Sequence, residues 1–129
     1  MLVSAGISSL VYYEYYMQQA QSEIRTVAEL VQKDFEQSKP VTDYAFLVEG
    51  ADINKLHYPV RITLIDIDGT VLYDNSAEVA TMDNHGNRPE VIKAYQTGFG
   101  DAKRLSDTTD HQTYYYALKL DNGKILRVS

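Results

Sequence analysis

Apolar residues recur in alternating steps of three and four along the first quarter of the chain, a spacing that keeps them on one face of an α-helix. They are Leu10, Tyr13, Met17, Ala20, Ile24, Val27 and Val31. A second set widens this stripe and consists of Ile24, Ala28, Val31 and Phe35. The pattern predicts a long helix over residues 14–38, ended by Pro40 because proline cannot continue the backbone ladder. The stripe favours either pairing with a second helix or packing on a sheet, and its width allows both.

The rest of the chain carries the shorter patterns of strands and tight turns. Two runs rich in Ile, Leu, Val and Thr, residues 61–67 and 70–73, flank Asp68-Gly69. Three more strand candidates follow at 102–106, 113–120 and 124–128, and Asp121-Asn-Gly123 joins the last two. Asp-Gly and Asn-Gly favour tight hairpin turns. Segments 44–48 and 51–56 fit either a strand or a helical turn.

A short helix is predicted between these strands, because Pro89 suits a first helical turn and Gly98 a helix end. The order of elements predicts an α+β fold, in which a five-stranded antiparallel sheet carries the long N-terminal helix and a short helix and loop segment on its faces. The expected division is a long helix over 14–38 followed by a sheet domain over 41–129.

Residues 1–13 contain no charged side chain. A stretch this short cannot cross a bilayer, which takes about 20 helical residues, and it has no basic region of the kind that begins a signal peptide. We expect the outer end of a membrane helix, with an aromatic belt of Tyr12, Tyr13, Tyr15 and Tyr16. The alternative is an exposed, partly disordered chain end.

Composition narrows the range of functions. The 129 residues are 44% hydrophobic and 23% charged, which is typical of one globular domain, and the net charge is −6. The scattered basic residues argue against a nucleic-acid partner. The chain has no cysteine, and its three histidines, His57, His85 and His111, lack metal-ligand spacing. We therefore expect no metal and no cofactor.

The segment Leu64-Ile-Asp-Ile-Asp-Gly-Thr-Val71 resembles the first motif of haloacid-dehalogenase-type phosphatases. In that chemistry Asp66 would attack phosphorus and Asp68 would protonate the leaving group, with magnesium between carboxylate and phosphate. The surrounding chain opposes this alternative, because about 60 residues precede the motif without a βα pattern and too few follow it for a parallel doubly wound sheet. A calcium-binding loop is also disfavoured, because the later glutamate that such a loop needs is missing at the required spacing. We favour a hairpin turn in which Gly69 takes a positive φ.

Residues 61–129 resemble the extracytoplasmic sensor domain of bacterial membrane histidine kinases of the PhoR and cell-wall-regulator type, which has a PAS-like (PDC or Cache) fold. The matching pieces are Arg61-Ile-Thr-Leu-Ile-Asp-x-Asp-Gly-Thr-Val-Leu72 with Asp74-Asn-Ser76, Met82-Asp-Asn-His85, Arg88-Pro-Glu-Val91, Thr113-Tyr-Tyr-Tyr-Ala117 and Ile125-Leu-Arg-Val-Ser129. The resemblance implies a sensory fragment of a cell-membrane protein, on the extracytoplasmic side, with no catalytic residues and no kinase activity of its own. Its expected partners are an unknown small ligand or an extracellular protein, and a second copy of the chain.

In this interpretation the signal enters a pocket between the sheet and residues 75–98 and leaves along the long helix. The ligand-binding candidates suit a small anion and are His85, as a pH-sensitive donor, Arg88, Arg104, Tyr114 and Tyr116. Structural roles compete with each: a salt bridge of Arg88 with Glu90 or Asp83, a loop cap for His85, and core packing for the tyrosines. The candidates for a dimeric signalling helix are Met17, Ala20, Ile24, Val27 and Val31.

Overall fold

The computed structural model describes residues 2–37, 60–105 and 112–129. In chain order the elements are α1 (Leu2–Gln37), β1 (Ile62–Ile65), β2 (Val71–Asp74), a 3-10 turn (Val79–Thr81), α2 (Pro89–Thr97), β3 (Phe99–Leu105), β4 (Gln112–Lys119) and β5 (Ile125–Val128). The strands form one sheet in the order β2-β1-β5-β4-β3. The predictions at Pro40, 44–48 and 51–56 lie outside the described residues.

Every strand pair in this sheet is antiparallel. The predicted α+β, PAS-like arrangement of five antiparallel strands, a long N-terminal helix and a short helix is confirmed. A haloacid-dehalogenase-type phosphatase carries its nucleophile on a parallel sheet, so the phosphatase alternative finds no support in the fold. Asp66 and Asp68 instead belong to the β1–β2 connection.

The β1–β2 connection is the predicted tight turn. Gly69 has φ +89°, and its N–H donates to the carbonyl of Asp66 at 2.9 Å. Asp68 Oδ1 accepts the backbone N–H of Thr70 at 3.0 Å, which lowers the pKa of this carboxyl. The two aspartates therefore act as turn residues. The predicted β4–β5 hairpin is also present, with Gly123 at φ +87°.

Strand β3 begins earlier than the sequence predicts, at Phe99 instead of residue 102. Gly98 ends α2 in the left-handed conformation with φ +98°, and the chain turns directly into the sheet. The Lys119 N–H donates to the Gly98 carbonyl at 2.8 Å, which extends the β3–β4 ladder to the helix end. The prediction was wrong here because Gly98 and Gly100, on either side of Phe99, have weak strand propensity, and pairing with β4 decides the conformation of this segment.

Helix α1 continues without a break across residues 13 and 14, where the sequence predicted two separate segments, and its 36 residues span about 54 Å. Its C-terminal half packs on the sheet, with Val27, Ala28 and Val31 buried against residues such as Leu64 and Leu126. Residues 9–16, by contrast, are all exposed. The apolar stripe thus has two environments: one half lies in the core of the domain, and the other extends beyond the sheet.

The sheet has two differently used faces, because successive strand residues point in opposite directions. On β5, Leu126 and Val128 pack beneath α1, whereas Ile125 packs beneath α2 and Arg127 faces a cavity on that same side. Along the described part of the chain, no helix is both long enough and apolar enough to span a bilayer.

Candidate functional site

An open cavity of about 520 Å³ lies between the sheet and the segment that connects the 3-10 turn to α2. It is lined by Arg61, Thr81, Met82, Asp83, His85, Asn87, Arg88, Pro89, Arg104, Tyr115 and Arg127. Four of these eleven side chains are arginines and one is an acid, so the wall is strongly basic although the chain as a whole is acidic. Its size lies within the range of small-ligand pockets.

The floor of the cavity is an ion cluster centred on Glu90, whose side chain is 0% exposed. Arg104 contacts it with both terminal guanidinium nitrogens, and Nη2 donates to Oε1 at 2.8 Å. Arg127 Nη1 donates to the same Oε1 at 3.3 Å. Burial alone would raise the pKa of Glu90, but the hydrogen bonds from Arg104 and the charges of both arginines outweigh it and hold the pKa below its ordinary value. Glu90 is therefore a carboxylate, and two cations share it.

Tyr115 holds these two arginines in place by stacking. The guanidinium carbon of Arg104 lies 4.0 Å from the centre of the Tyr115 ring, and that of Arg127 lies 4.8 Å from it. Cation–π contacts of this kind fix the planes of both guanidinium groups. Arg127 is buried, with 4% of its side chain exposed, and its Nε has no hydrogen-bond partner among the described residues.

Arg61 lines the opposite side of the cavity and is neutralised by Asp74. Its Nε donates to both carboxylate oxygens of Asp74, at 2.9 and 3.1 Å. Burial would raise the pKa of Asp74, but hydrogen bonds from the Ser76 N–H, the Thr63 hydroxyl and Arg61 together lower it. This pair ties the start of β1 to the end of β2, at the entrance to the loop that carries the cavity wall.

Arg88 is the least neutralised of the four arginines. It is the N-cap residue of α2 without a capping side-chain bond, and its Nη1 donates to the neutral amide of Asn87 at 3.4 Å. Within the described residues it forms no ion pair, so the alternative of a salt bridge with Glu90 or Asp83 is not what the structure shows. Its charge is available to a ligand.

His85 is buried in the wall, with 7% of the residue exposed. Its Nδ1 lies 2.7 Å from the carbonyl oxygen of Asp83. Since a carbonyl can only accept, Nδ1 carries the proton, and Nε2 holds the lone pair in the neutral ring. Burial first, and then the charges of Arg127 and Arg88, lower the pKa of His85 below its ordinary value. The imidazole is therefore neutral at pH 7.

The β1–β2 turn positions this histidine. The His85 N–H donates to the Gly69 carbonyl at 2.9 Å, and Asn84 Nδ2 donates to the Asp68 carbonyl at 2.9 Å. The loop approaches so closely that a Cβ on Gly69 would meet the side-chain oxygen of Asn84 and lie 2.7 Å from the Gly86 nitrogen. The loop over residues 82–88, the cavity loop, therefore packs directly on this turn.

The structure brings together three of the five predicted ligand-binding residues, His85, Arg88 and Arg104, around one cavity. Tyr114 and Tyr116 do share one face of β4, as predicted, but that face packs against α1. This placement corrects the expectation that they line the pocket. Strand alternation puts Tyr115, between them, in the cavity wall.

Sequence reasoning missed Arg61, Tyr115, Arg127 and Glu90. One signal was available for Arg127: it is a charged residue inside the short apolar strand Ile125–Val128, and a charge at such a position requires a buried partner. Its partner Glu90 lies 37 residues away, and the sequence pattern did not indicate it.

On the opposite face of the sheet, a polar clamp joins α1 to the strands. Arg25 Nε donates to the Tyr114 hydroxyl at 2.9 Å, and this hydroxyl donates to Asp101 Oδ2 at 3.0 Å. The Arg25 guanidinium also lies 5.7 Å from the ring centres of Tyr114 and Tyr116. The clamp connects the middle of α1 with β3 and β4.

A family model described as Single Cache-like matches residues 14–125. No curated protein matches the chain. The matched range includes most of α1, the cavity loop, α2 and the sheet up to the first residue of β5.

Proposed function

The chain belongs to the single Cache-like family of sensory domains, and from this premise we propose that it is the extracytoplasmic sensor of a PhoR-type membrane histidine kinase. In this proposal a small ligand occupies the basic cavity, and α1 carries the response toward the membrane. The alternative input, an extracellular protein partner, is less suited to a concave pocket of about 520 Å³.

The observation that carries the proposal is that the cavity and α1 lie on opposite faces of the same strands. Tyr115 of β4 stacks against Arg104 and Arg127 in the cavity. Its neighbours Tyr114 and Tyr116 lie under Arg25 of α1. A shift of β4 caused by a ligand would therefore reach α1 through adjacent residues of a single strand, without a long chain of contacts.

Signalling of this kind requires two arrangements of α1 relative to the sheet. A ligand can shift their equilibrium only by as much as its affinities for the two arrangements differ. The Arg25–Tyr114–Asp101 clamp is a suitable element to reorganise, because its salt bridge between Arg25 and Asp101 is long, at 3.4 Å, and half-exposed. Exposed pairs contribute about 0 to 1 kcal/mol and so exchange at low cost.

The same proposal assigns the two halves of the apolar stripe on α1 to different partners. Val27 and Val31 are buried in the domain core and are not accessible to a second helix, and Ile24 packs partly against that core. Met17 and Ala20 are half-buried, and Leu10 and Tyr13 are exposed. We assign these N-terminal positions to a parallel homodimer seam in the membrane-tethered parent protein.

Disulfide crosslinking in membranes that contain the full-length receptor tests the assignment. Cysteines at Met17 and Ala20 should form symmetric crosslinks, and their yields should change when Tyr115→Ala removes the stacking platform of the cavity. Ser22 is exposed on the opposite side of α1 and provides the matched control, since Ser22→Cys should crosslink poorly. Absence of symmetric crosslinks at both seam positions would refute the dimeric helix.

The kinase assignment has a separate test. The full-length protein, in membranes supplied with ATP, should incorporate phosphate at a histidine, and the rate should respond to Tyr115→Ala. Tyr12→Phe is the control, because Tyr12 is exposed and distant from the cavity. If the full-length protein forms no phosphohistidine, the kinase assignment is wrong, and the sensory domain belongs to another class of receptor.

A further inference from the structure

We propose that the cavity binds a small oxyanion and that His85 takes up a proton when the anion binds, so that occupancy rises as the pH falls. The inference rests on the proposed sensory role of the cavity and adds the chemical class of its ligand and the way in which binding is regulated. It stands on three features of the wall: its charge balance, an unpartnered guanidinium nitrogen, and the tautomer of the histidine.

The charge balance of the wall is positive even after its internal ion pairs are counted. Asp74 neutralises Arg61. Glu90 is a single carboxylate facing two guanidinium groups, those of Arg104 and Arg127, and one positive charge is left over. Arg88 adds a second, since among the described residues its side chain donates only to the amide oxygen of Asn87. Asp83 also lines the cavity and reduces this surplus to one positive charge, so an anion is the complementary ligand.

The unpartnered nitrogen specifies the kind of anion. Arg127 Nε is buried and has no acceptor within the described part of the chain, a condition that is unfavourable for a buried donor. The Arg127 side chain lines the cavity, and its plane is held against Tyr115. An oxyanion that reaches this nitrogen from the cavity would supply the missing acceptor. Guanidinium groups match carboxylate, phosphate and sulfate oxygens because they donate in a planar fork.

His85 converts this anion site into a proton-linked one. Nδ1 donates to the Asp83 carbonyl, so the nitrogen that gains the proton is Nε2. The charged groups that face the ring come from three elements: Arg127 on β5, Arg61 before β1, and Arg88 in the same loop. All three disfavour a charged imidazole while the cavity holds no anion.

A bound anion reverses this balance. Its negative charge offsets the arginines and stabilises the imidazolium, and protonated Nε2 becomes a further donor at the cavity wall. Thermodynamic linkage then requires the anion to bind more tightly where the proton is available. Uptake of one full proton corresponds to about a tenfold change in Kd per pH unit, between the pKa values of the free and the occupied site.

Sulfate is the appropriate probe, because its charge is constant where histidine titrates, and any pH dependence therefore belongs to the protein. Calorimetric titration of the 129-residue chain at about pH 5.5 and 7.5 should show at least about tenfold tighter binding at the lower pH. Repeating the titration in two buffers of different ionisation enthalpy should show net uptake of protons. This second measurement needs no variant and stands even if a substitution at His85 prevents folding.

Three variants separate the site from general charge attraction. Arg88→Gln should weaken sulfate binding at least about tenfold. Lys33→Gln removes an equal charge from an exposed position on α1, outside the clamp and on the opposite face of the sheet, and should leave sulfate binding unchanged. His85→Gln should retain binding but abolish its pH dependence and the proton uptake.

The possible results test the role of His85 and the anion site separately. Sulfate binding without proton uptake, or with a pH dependence that survives in His85→Gln, would overturn the role of His85. No sulfate binding at millimolar concentration, or equal loss in Arg88→Gln and Lys33→Gln, would overturn the anion site itself. The proposed function fails independently, because the α1 crosslinks at Met17 and Ala20 do not depend on sulfate.

Discussion

Replacing Glu90 with glutamine removes the carboxylate that Arg104 and Arg127 share and leaves a buried guanidinium without its counter-ion. The side chain of Arg127 is only 4% exposed, so water can replace little of the interaction that this cation loses. Arg104 is 31% exposed and can turn toward solvent. The penalty therefore falls mainly on Arg127.

Removing one partner of a buried ion pair destabilises a protein by about 3 to 5 kcal/mol. Because Arg104 can be rehydrated, we expect a value near the lower end, about 3 kcal/mol. A domain of this size has a total stability of about 5 to 15 kcal/mol, so the loss is a large fraction of the whole. The melting temperature should fall by about 10 °C.

Urea unfolding at pH 7, followed by circular dichroism, measures this loss. The control is Glu78→Gln, an exposed glutamate whose side chain makes no capping bond, and it should change stability by less than about 0.5 kcal/mol. The double variant Glu90→Gln, Arg127→Met should regain most of the loss, because it removes the stranded charge as well.

The pH dependence gives the same interaction a second readout. The pKa of Glu90 lies below its ordinary value of 4.5, so the folded state favours the ionised form. Its stabilisation is complete above about pH 4.5 and disappears as the pH falls through the native pKa. If Glu90→Gln costs less than about 1 kcal/mol, or if the double variant is no more stable than the single one, Arg127 is not trapped as described.

Three further predictions concern the turn, the clamp and the histidine. Gly69→Ala should lower the free energy of unfolding in urea by more than about 2 kcal/mol, because a positive φ is strained for alanine and the cavity loop blocks the new Cβ. Gly98→Ala, with a similar φ but open space around it, should cost about 1 kcal/mol. Equal losses would contradict the close contact between Gly69 and the cavity loop. Tyr114→Phe should lower the free energy of unfolding by about 1 kcal/mol and Tyr12→Phe should leave it almost unchanged, because the Tyr114 hydroxyl joins α1 to β3 and the Tyr12 hydroxyl does not. Equal losses would show that the clamp does not stabilise the fold. The midpoint of an NMR titration of His85 should lie below 6.5, because burial and the nearby arginines disfavour the charged ring. Protonation of His85 should therefore destabilise the fold as the pH falls below that value. A higher midpoint would show that burial and the arginines do not disfavour the imidazolium.

Local chemistry made several parts of the fold predictable from sequence. The positive φ of Gly69, the proline start and glycine end of α2, and the hairpin before β5 depend on residues within a few positions of each other. The long helix followed from spacing alone. These elements limited the chain to an α+β fold, which excluded the parallel sheet that a catalytic Asp66 would need.

The tertiary structure decided which faces these elements present. Spacing placed Tyr114 and Tyr116 on one face of β4 but could not indicate that α1 covers it, since that depends on how β3, β4 and β5 pair. The same limit applies to the helix stripe, where only packing shows that Val27 and Val31 belong to the domain core.

The ion cluster in the cavity is the clearest case of a feature that the sequence pattern did not indicate, although a pocket with His85, Arg88 and Arg104 was predicted between the sheet and residues 75–98. Arg61, Arg104 and Arg127 come from strand segments far apart in the chain, and Glu90 gathers two of them from a helix. Periodicity does not show that these residues meet, because Arg61, Arg104 and Glu90 fit their local patterns as ordinary exposed charges. Arg127 stands in an apolar strand and so requires a buried partner, but the pattern does not say which residue that is. The residue types carried the chemistry, while the order and pairing of the strands, which depend on long-range contacts, determined where it assembles.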